Sequence, residues 1–281
     1  AGLFRILQPS RWGGYERDIQ LFFDIAMDIA AACGSTGWVY SVIGVHNWHL
    51  ALFDERAQAE VWGEDQNTLT ASAYSPLGNV ERVKDGFRLN GIWRISSGCH
   101  YGAWVLLGGI VPEENGPQYY TLLVPKADFE IIDCWHVAGL AATGSNNLRV
   151  ENAFVPDYRA HAMPAQGIGG PGAAINPGAL YRYPFPSVLT NSVTAPMLGM
   201  ARGAVGEDAG RIGGIGEIGL GGDLLGPFLL QDHAIEPLAQ GHARAPGQVL
   251  GDLPCLRVDP LDAPRRPRRH RIVLPALGCG R

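Results

Sequence analysis

The sequence contains few features that would tie it to a membrane or a nucleic acid. No uninterrupted apolar run approaches the roughly 18 residues of a membrane span, and the first residues lack the charged-then-apolar pattern of a signal peptide. The formal net charge of -5 argues against nucleic acid as the main partner, because phosphate binding requires a basic face. We therefore expect a cytoplasmic protein with neither a nucleic-acid nor a membrane partner.

Cysteine pairs and metal-binding spacings are also lacking. The five cysteines, Cys33, Cys99, Cys134, Cys255 and Cys279, are odd in number and lie far apart, with no CxxC pair and no zinc-type spacing with histidine. We expect buried free thiols in a reducing compartment. No metal site is predicted.

Several common catalytic motifs are absent as well. The sequence shows no nucleophile elbow, no P-loop and no GxGxxG between a strand and a helix. His46 and His49, three residues apart, would lie on neighbouring faces of a helix, but no third metal ligand stands near them. Taken alone, each is better explained as a core or surface histidine.

The pattern of the first 63 residues is helical. Apolar residues recur at three- and four-residue steps over residues 16–33, which predicts an amphipathic helix. The segment 34–37 (GSTG) should break it, and residues 38–53 form a second apolar segment. Asp54 is expected to cap a short helix that ends near Trp62.

From Thr68 onward the pattern changes to strands and turns. Residues 84–86 and 88–91 look like hairpin turns, and residues 105–111, 119–124 and 148–155 are rich in strand-forming side chains. These roughly one hundred residues fit a β-barrel or small sandwich.

The order of elements predicts an α+β chain in four parts. Residues 1–63 form an incomplete N-terminal helical domain, 64–161 a middle β-domain, and 162–205 a Gly/Pro-rich loop with the start of a C-terminal helical domain, in which 187–204 suit a helix. Residues 206–281 are expected to form a disordered tail, so most of the C-terminal helical bundle would be missing.

The composition of the last 81 residues supports that expectation. Residues 201–281 hold 15 Gly and 8 Pro but no Ser, Thr, Asn, Lys, Tyr, Trp or Met. Gly and Pro at this density are typical of disordered chains. Our hypothesis is that a reading-frame shift near residues 203–206 replaced the native helices; the alternative is a genuine Gly/Pro/Arg-rich tail.

Four separated motifs resemble one enzyme family. In order they are residues 34–38 (GSTGW), 45–53 (VHNWHLALF), 91–99 (GIWRISSGC) and 139–146 (GLAATGSN). They resemble the oxygenase components of two-component flavin-dependent phenol hydroxylases, above all the secosteroid phenol hydroxylases of bacterial steroid degradation. The resemblance covers roughly residues 1–204.

The resemblance implies a fold, a cofactor and a set of partners. The fold would be that of the acyl-CoA dehydrogenases, assembled as a homotetramer. A separate reductase would supply reduced FMN or FAD, which reacts with O2 so that a phenolic substrate is hydroxylated ortho to its hydroxyl group. The protein's contribution would be positioning and electrostatics.

The same resemblance assigns roles to individual residues. It places Trp38 beside the flavin, lines one ring edge with backbone groups of Ser72, Ala73 and Tyr74, and runs Ile95, Ser96 and Ser97 along the other side. Ser97 would hydrogen-bond near flavin N5, and His46 would face the substrate and polarise the phenol. His46 and Ser97 are therefore the catalytic candidates.

Two alternatives remain at this point. One is an acyl-CoA dehydrogenase that oxidises a thioester with tightly bound FAD, although the motif around His46 and the Ser96-Ser97-Gly98 sequence favour the monooxygenase. The other is an inactive, truncated or frame-shifted product. Both alternatives share the predicted fold.

Overall fold

The structure is a computed structural model that describes residues 2–163 and 169–209. Four α-helices and eight strands account for most of these residues. The helices are α1 (Ile19–Ala32), α2 (Gly34–Leu50), α3 (Glu55–Trp62) and α4 (Phe185–Ala209). The hypothesis of an aberrant tail concerns residues 206–281, almost all of which lie outside the described residues.

Side-chain caps fix the starts of two helices. The carboxylate of Asp18 accepts a hydrogen bond from the Gln20 backbone amide at the start of α1. The carboxylate of Asp54 accepts one from the Arg56 amide and opens α3, which confirms the predicted cap.

The break between α1 and α2 is shorter than the sequence predicts. Segment 34–37 was expected to interrupt the helices, but α2 begins at Gly34 and only Cys33 is extended, with φ −154°. Gly37 lies where the two helices touch, since a Cβ atom there would sit 2.4 Å from the Cα of Ala30. The glycine therefore allows close helix packing rather than ending a helix.

A substitution pair tests this role of Gly37. Gly37→Ala should destabilise the protein by about 1–3 kcal/mol through overpacking, although alanine is the better helix former. Gly206→Ala is the matched control, because nothing lies within 4 Å of a Cβ in that helical position; it should be neutral or stabilising by up to about 1 kcal/mol. Urea denaturation measures both, and equal effects would contradict the packing argument.

The strands form two four-stranded sheets. The strands are β1 (Thr70–Ala73), β2 (Asn79–Val83), β3 (Gly86–Ser96), β4 (Trp104–Glu113), β5 (Gly116–Pro125), β6 (Glu130–Ile132), β7 (Asn146–Pro156) and β8 (Ala160–Ala162). One sheet has the order β1-β4-β5-β8 and the other β2-β3-β7-β6. The β1–β4 pair is parallel and the other pairs are antiparallel.

One predicted turn is present and the other is not. Val83 pairs with Gly86, so Lys84 and Asp85 form a two-residue hairpin loop. Residues 88–91 instead lie inside β3, where the register with β7 shifts between Leu89 and Gly91. Gly91 adopts φ +141°, so this glycine marks a β-bulge, a feature that resembles a turn in sequence.

Three buried hydrophobic clusters stabilise the described residues: one in the β region, one among the helices, and one where α3 packs near β4 and β5. Buried Trp93 lies among Phe87, Leu107 and Leu148 in the β core, and its indole N–H donates to the Gly108 carbonyl oxygen at 2.7 Å. In the helical core, Trp48 of α2 donates to the Leu180 carbonyl oxygen at 2.8 Å. α4 packs on α1 and α2.

The described cysteines are free thiols, but they are not all buried. Cys99 is buried and Cys134 half-buried, whereas Cys33 is exposed. The expectation of burial is wrong for Cys33 because it forms the extended junction between α1 and α2. Within residues 2–163 and 169–209, no helix is long and apolar enough to cross a bilayer.

Candidate active site

Helix α2 carries one residue that is predicted to bind the flavin, Trp38, and one that is predicted to be catalytic, His46. Trp38 lies near its start, and His46 and His49 lie two turns and more beyond it. Eight residues of helix separate Trp38 from His46 by about 12 Å along the axis. Facing α2 are β1 with the following Tyr74, and the end of β3 with Ser97.

The backbone at Ile95 is strained. Ile95 has φ +63° and its side chain is 63% exposed, an unfavourable conformation for a β-branched residue. The strain lies where the register of β3 with β7 shifts, between Trp93 and Ser96. Strain of this kind costs on the order of 1–3 kcal/mol and tends to collect at functional sites.

The side chains of Ile95, Ser96 and Ser97 differ in exposure. Ile95 is exposed, Ser97 is half-buried, and Ser96 is fully buried with no hydrogen-bond partner for its hydroxyl among the described residues. A ligand could therefore touch the side chains of Ile95 and Ser97, whereas Ser96 would contribute through its backbone.

Ser97 belongs to a cluster of hydroxyl groups. Its Oγ lies 3.1 Å from the Trp38 indole nitrogen, which donates to it, and 2.7 Å from the Ser145 Oγ. Ser145 in turn lies 2.7 Å from the Thr143 Oγ1. The predicted residues Trp38 and Ser97, 59 positions apart in sequence, are thus in direct contact.

His46 is buried and neutral. It is 1% exposed, and its Nδ1 lies 2.6 Å from the Thr70 carbonyl oxygen. Because a carbonyl can only accept, Nδ1 carries the proton and Nε2 carries a lone pair. Burial lowers the pKa of His46 to about 4, against the smaller opposing influence of the Thr70 bond. At neutral pH, its Nε2 is a hydrogen-bond acceptor.

A second buried chain runs from Tyr74 through two histidines. The Tyr74 hydroxyl lies 2.8 Å from His49 Nδ1, His49 Nε2 lies 3.1 Å from His161 Nδ1, and His161 Nε2 lies 3.0 Å from the Gly169 carbonyl oxygen. The carbonyl fixes every tautomer in turn: His161 donates to Gly169, His49 to His161, and Tyr74 to His49.

Burial keeps His49 and His161 uncharged. It lowers the pKa of His161 to about 4. It also lowers the pKa of His49 well below its ordinary value, with the neighbouring His161 and His46 acting in the same direction. The His46 and Tyr74 rings meet edge to face with centroids 5.8 Å apart, so Tyr74 links the chain to His46.

Two surface depressions lie away from these clusters. One is bounded by Trp12 and residues 54–56, the other by Arg11 and residues 62–67. Neither includes a predicted site residue. The site is therefore defined by its side-chain clusters.

Comparison with known proteins gives consistent matches. No family model matches the sequence. The oxygenase subunit HsaA of Rhodococcus jostii (strain RHA1), a flavin-dependent monooxygenase, is 45% identical over 205 residues, which are 72% of this chain and 54% of that protein. The oxygenase component of an FADH2-dependent resorcinol hydroxylase from Rhizobium sp. (strain MTP-10005) is 34% identical over 217 residues, 76% of this chain and 53% of that protein.

A solved crystal structure is also similar to this chain. The 3-HSA hydroxylase from Rhodococcus sp. RHA1 superimposes with a TM-score of 0.72 at 43% identity, covering 75% of this chain and 55% of that one. Over the matched length, the chain is similar to the oxygenase components of flavin-dependent monooxygenases. It spans about half the length of the curated relatives it matches.

The structural likeness to this hydroxylase confirms the predicted α+β, acyl-CoA dehydrogenase-like fold. The roles of the individual site residues rest on the geometry alone. In the sequence, Thr143 and Ser145 stand out only as members of the motif at residues 139–146, and no role is predicted for His161. Nothing in the local sequence around His161 distinguishes it from an ordinary histidine in a loop.

Proposed function

We propose that this chain acts as the oxygenase component of a two-component, reduced-flavin-dependent monooxygenase that hydroxylates a phenolic substrate ortho to its hydroxyl group. A phenol from steroid degradation is the substrate class that the likeness to HsaA favours. The structural observation that carries the proposal is the contact between Trp38 and half-buried Ser97 beside the strained, exposed Ile95. No comparable observation supports thioester oxidation.

The residues present fit a flavin ring. Half-buried Trp38 places an aromatic ring beside the Ser97 hydroxyl, and Ile95 offers exposed apolar surface two residues before Ser97. The backbone of Ser72, Ala73 and Tyr74 would line the opposite ring edge. Bound reduced flavin would supply the electrons that activate O2 for insertion of one oxygen atom into the aromatic ring.

The chain's own residues then have separate tasks. Ser97 would form a hydrogen bond at the ring nitrogen N5 of the bound flavin. His46, through the lone pair on Nε2, accepts the hydrogen bond of the phenol hydroxyl and so draws its proton away from the ring. His46 is buried, so little water competes for its hydrogen bond, which strengthens this interaction. A separate flavin reductase would supply reduced FMN or FAD. The tetramer and the cytoplasmic location stay predictions.

The proposal is tested with the purified chain and chemically reduced flavin. Reduced FMN or FAD should bind anaerobically, and admission of 18O2 in the presence of resorcinol, the substrate class of one relative, should put one labelled oxygen on the ring. Oxidation of an acyl-CoA thioester without label incorporation would replace this proposal with the dehydrogenase alternative. Failure to bind either flavin would favour the alternative that this chain is an inactive, truncated or frame-shifted protein.

Ser97 has its own expected outcome. Ser97→Ala removes the group at N5, so O2 consumption should be diverted from product to H2O2 about fivefold more often, the effect of losing one ordinary hydrogen bond. The ratio of H2O2 to hydroxylated product measures this diversion. An unchanged ratio would remove Ser97 from the site.

A further inference from the structure

Three hydroxyl groups form a chain that ends at a backbone carbonyl. Thr143 Oγ1 lies 2.8 Å from the Leu140 carbonyl oxygen. From Thr143 the chain continues through Ser145 to Ser97, with both oxygen–oxygen distances at 2.7 Å. We call Thr143, Ser145 and Ser97 the hydroxyl chain.

The carbonyl sets the direction of every hydrogen bond in the hydroxyl chain. Two oxygens 2.8 Å apart attract only with a proton between them, and a carbonyl has none to give, so Thr143 must donate. Each hydroxyl has a single proton. Ser145 therefore donates to Thr143, and Ser97 donates to Ser145.

Ser97 is left as an acceptor on its accessible side. Its proton is directed at Ser145, and one of its lone pairs receives the Trp38 indole N–H. One lone pair remains. Thr143 and Ser145 are 2% and 3% exposed, so water has little access to compete for their protons, whereas Ser97 is half-buried and open to a ligand.

We propose that the hydroxyl chain makes this site selective for the redox state of flavin, with Thr143 and Ser145 as positioning residues. The inference rests on the proposed function, which places Ser97 at N5. Reduced flavin carries a proton on N5 and can donate it to Ser97. Oxidised flavin presents a lone pair there, which faces the lone pair of Ser97 and is repelled. The chain thus admits the reduced cofactor and releases the oxidised one.

The test separates the two redox states of the cofactor. In Ser145→Ala, the Ser97 proton is set free and can turn to N5 of oxidised flavin. The dissociation constant for oxidised FMN or FAD should therefore fall about three- to tenfold, while that for the photoreduced flavin changes little. The potential of the bound flavin should fall accordingly, by about 30 mV for a tenfold change in a two-electron couple.

Thr143 provides a matched pair of variants. Thr143→Val removes the acceptor of the Ser145 proton and should reduce the discrimination in the same direction, whereas Thr143→Ser keeps the hydroxyl and should keep the discrimination. The Leu140 carbonyl still accepts from the Thr143 amide and the Trp135 indole, which favours an intact loop in both. Thermal unfolding checks that both variants are folded.

The outcomes distinguish failure of this inference from failure of the proposed function on which it rests. Ser97→Ala should also lose discrimination, but by weakening the reduced state rather than by tightening the oxidised one. If Ser145→Ala and Thr143→Val keep the wild-type dissociation constants and potential, the inference is overturned while reduced-flavin binding still supports the proposed function. If the wild-type chain binds no flavin at all, both fail.

Discussion

Lowering the pH from 7 to 5 should destabilise the folded chain by about 4 kcal/mol through His46 and His161 alone. Burial lowers the pKa of both residues to about 4, whereas an exposed histidine in the unfolded chain titrates near 6.5. Between about pH 6.5 and 4, the unfolded state therefore binds protons that the folded state does not bind. Each histidine contributes about 2 kcal/mol over this interval.

The sign follows from which state holds the proton. Above about pH 6.5 both states are neutral and the stability is fully present; as the pH falls from 6.5 towards 4, protonation favours the unfolded chain. His49 acts in the same direction, because its pKa is also lowered. A loss of this size is a large part of the 5–15 kcal/mol that stabilises a typical domain.

The surroundings of the three histidines offer no compensation. His49 faces His161, Phe53, Phe185 and the Tyr74 hydroxyl, and His46 faces Tyr74 and the Thr70 carbonyl. No carboxylate is among these contacts. Partial burial raises the pKa of Glu60, but its hydrogen bonds to Arg159 and Tyr158 outweigh this and lower it. Its contribution to stability is therefore lost only as the pH falls through the unfolded pKa of a glutamate, about 4.3, and below it.

Urea denaturation at several pH values measures the effect. The free energy of unfolding should fall by up to about 1.4 kcal/mol per pH unit for each histidine as the pH is lowered from 6 to 5. His46→Asn is the control, since its amide N–H can still reach the Thr70 carbonyl but does not titrate; its slope should be lower by one proton. A flat profile between pH 7 and 5 would show that the histidines are protonated inside the fold.

The sequence predicted most elements because their causes are local. The apolar periodicity of α1 and the carboxylate before α3 are visible in the letters, and both are confirmed. The helix break predicted at residues 34–37 and the turn predicted at 88–91 are wrong. In sequence, a glycine that allows close packing and a glycine in a β-bulge both resemble turn glycines. Only the neighbours, Ala30 for Gly37 and the partner strand β7 for Gly91, tell them apart.

The site shows the same division between local and distant causes. Family motifs predicted Trp38 and Ser97 as neighbours of one ligand, and the structure joins them at 3.1 Å. The contact between His49 and His161 spans 112 positions and depends on how β8 pairs with β5. No pattern within either segment carries that information, so His161 could not be found from the sequence.

Replacing His46 should slow hydroxylation by about 100-fold, the lower range for loss of a general acid or base. The reason is the tautomer of His46. The Thr70 carbonyl holds the proton on Nδ1, so Nε2 is free of a proton. Under the proposed function, Nε2 would accept a hydrogen bond from the phenol hydroxyl and make the ring richer in electrons where oxygen is inserted. With a pKa of about 4, the imidazole stays neutral and keeps this role throughout the neutral range.

Two substitutions separate the roles of the two ring nitrogens. In His46→Asn, the amide N–H mimics Nδ1 and keeps the bond to Thr70, but no acceptor reaches the position of Nε2; the full loss in kcat is expected, with the reduced-flavin dissociation constant unchanged. In His46→Gln, the longer amide can place an oxygen near Nε2, so a smaller loss is expected. Single-turnover formation of product, with flavin bound in advance, measures both. Equal losses of flavin binding and product formation in the two variants would instead make His46 a packing residue between α2 and β1.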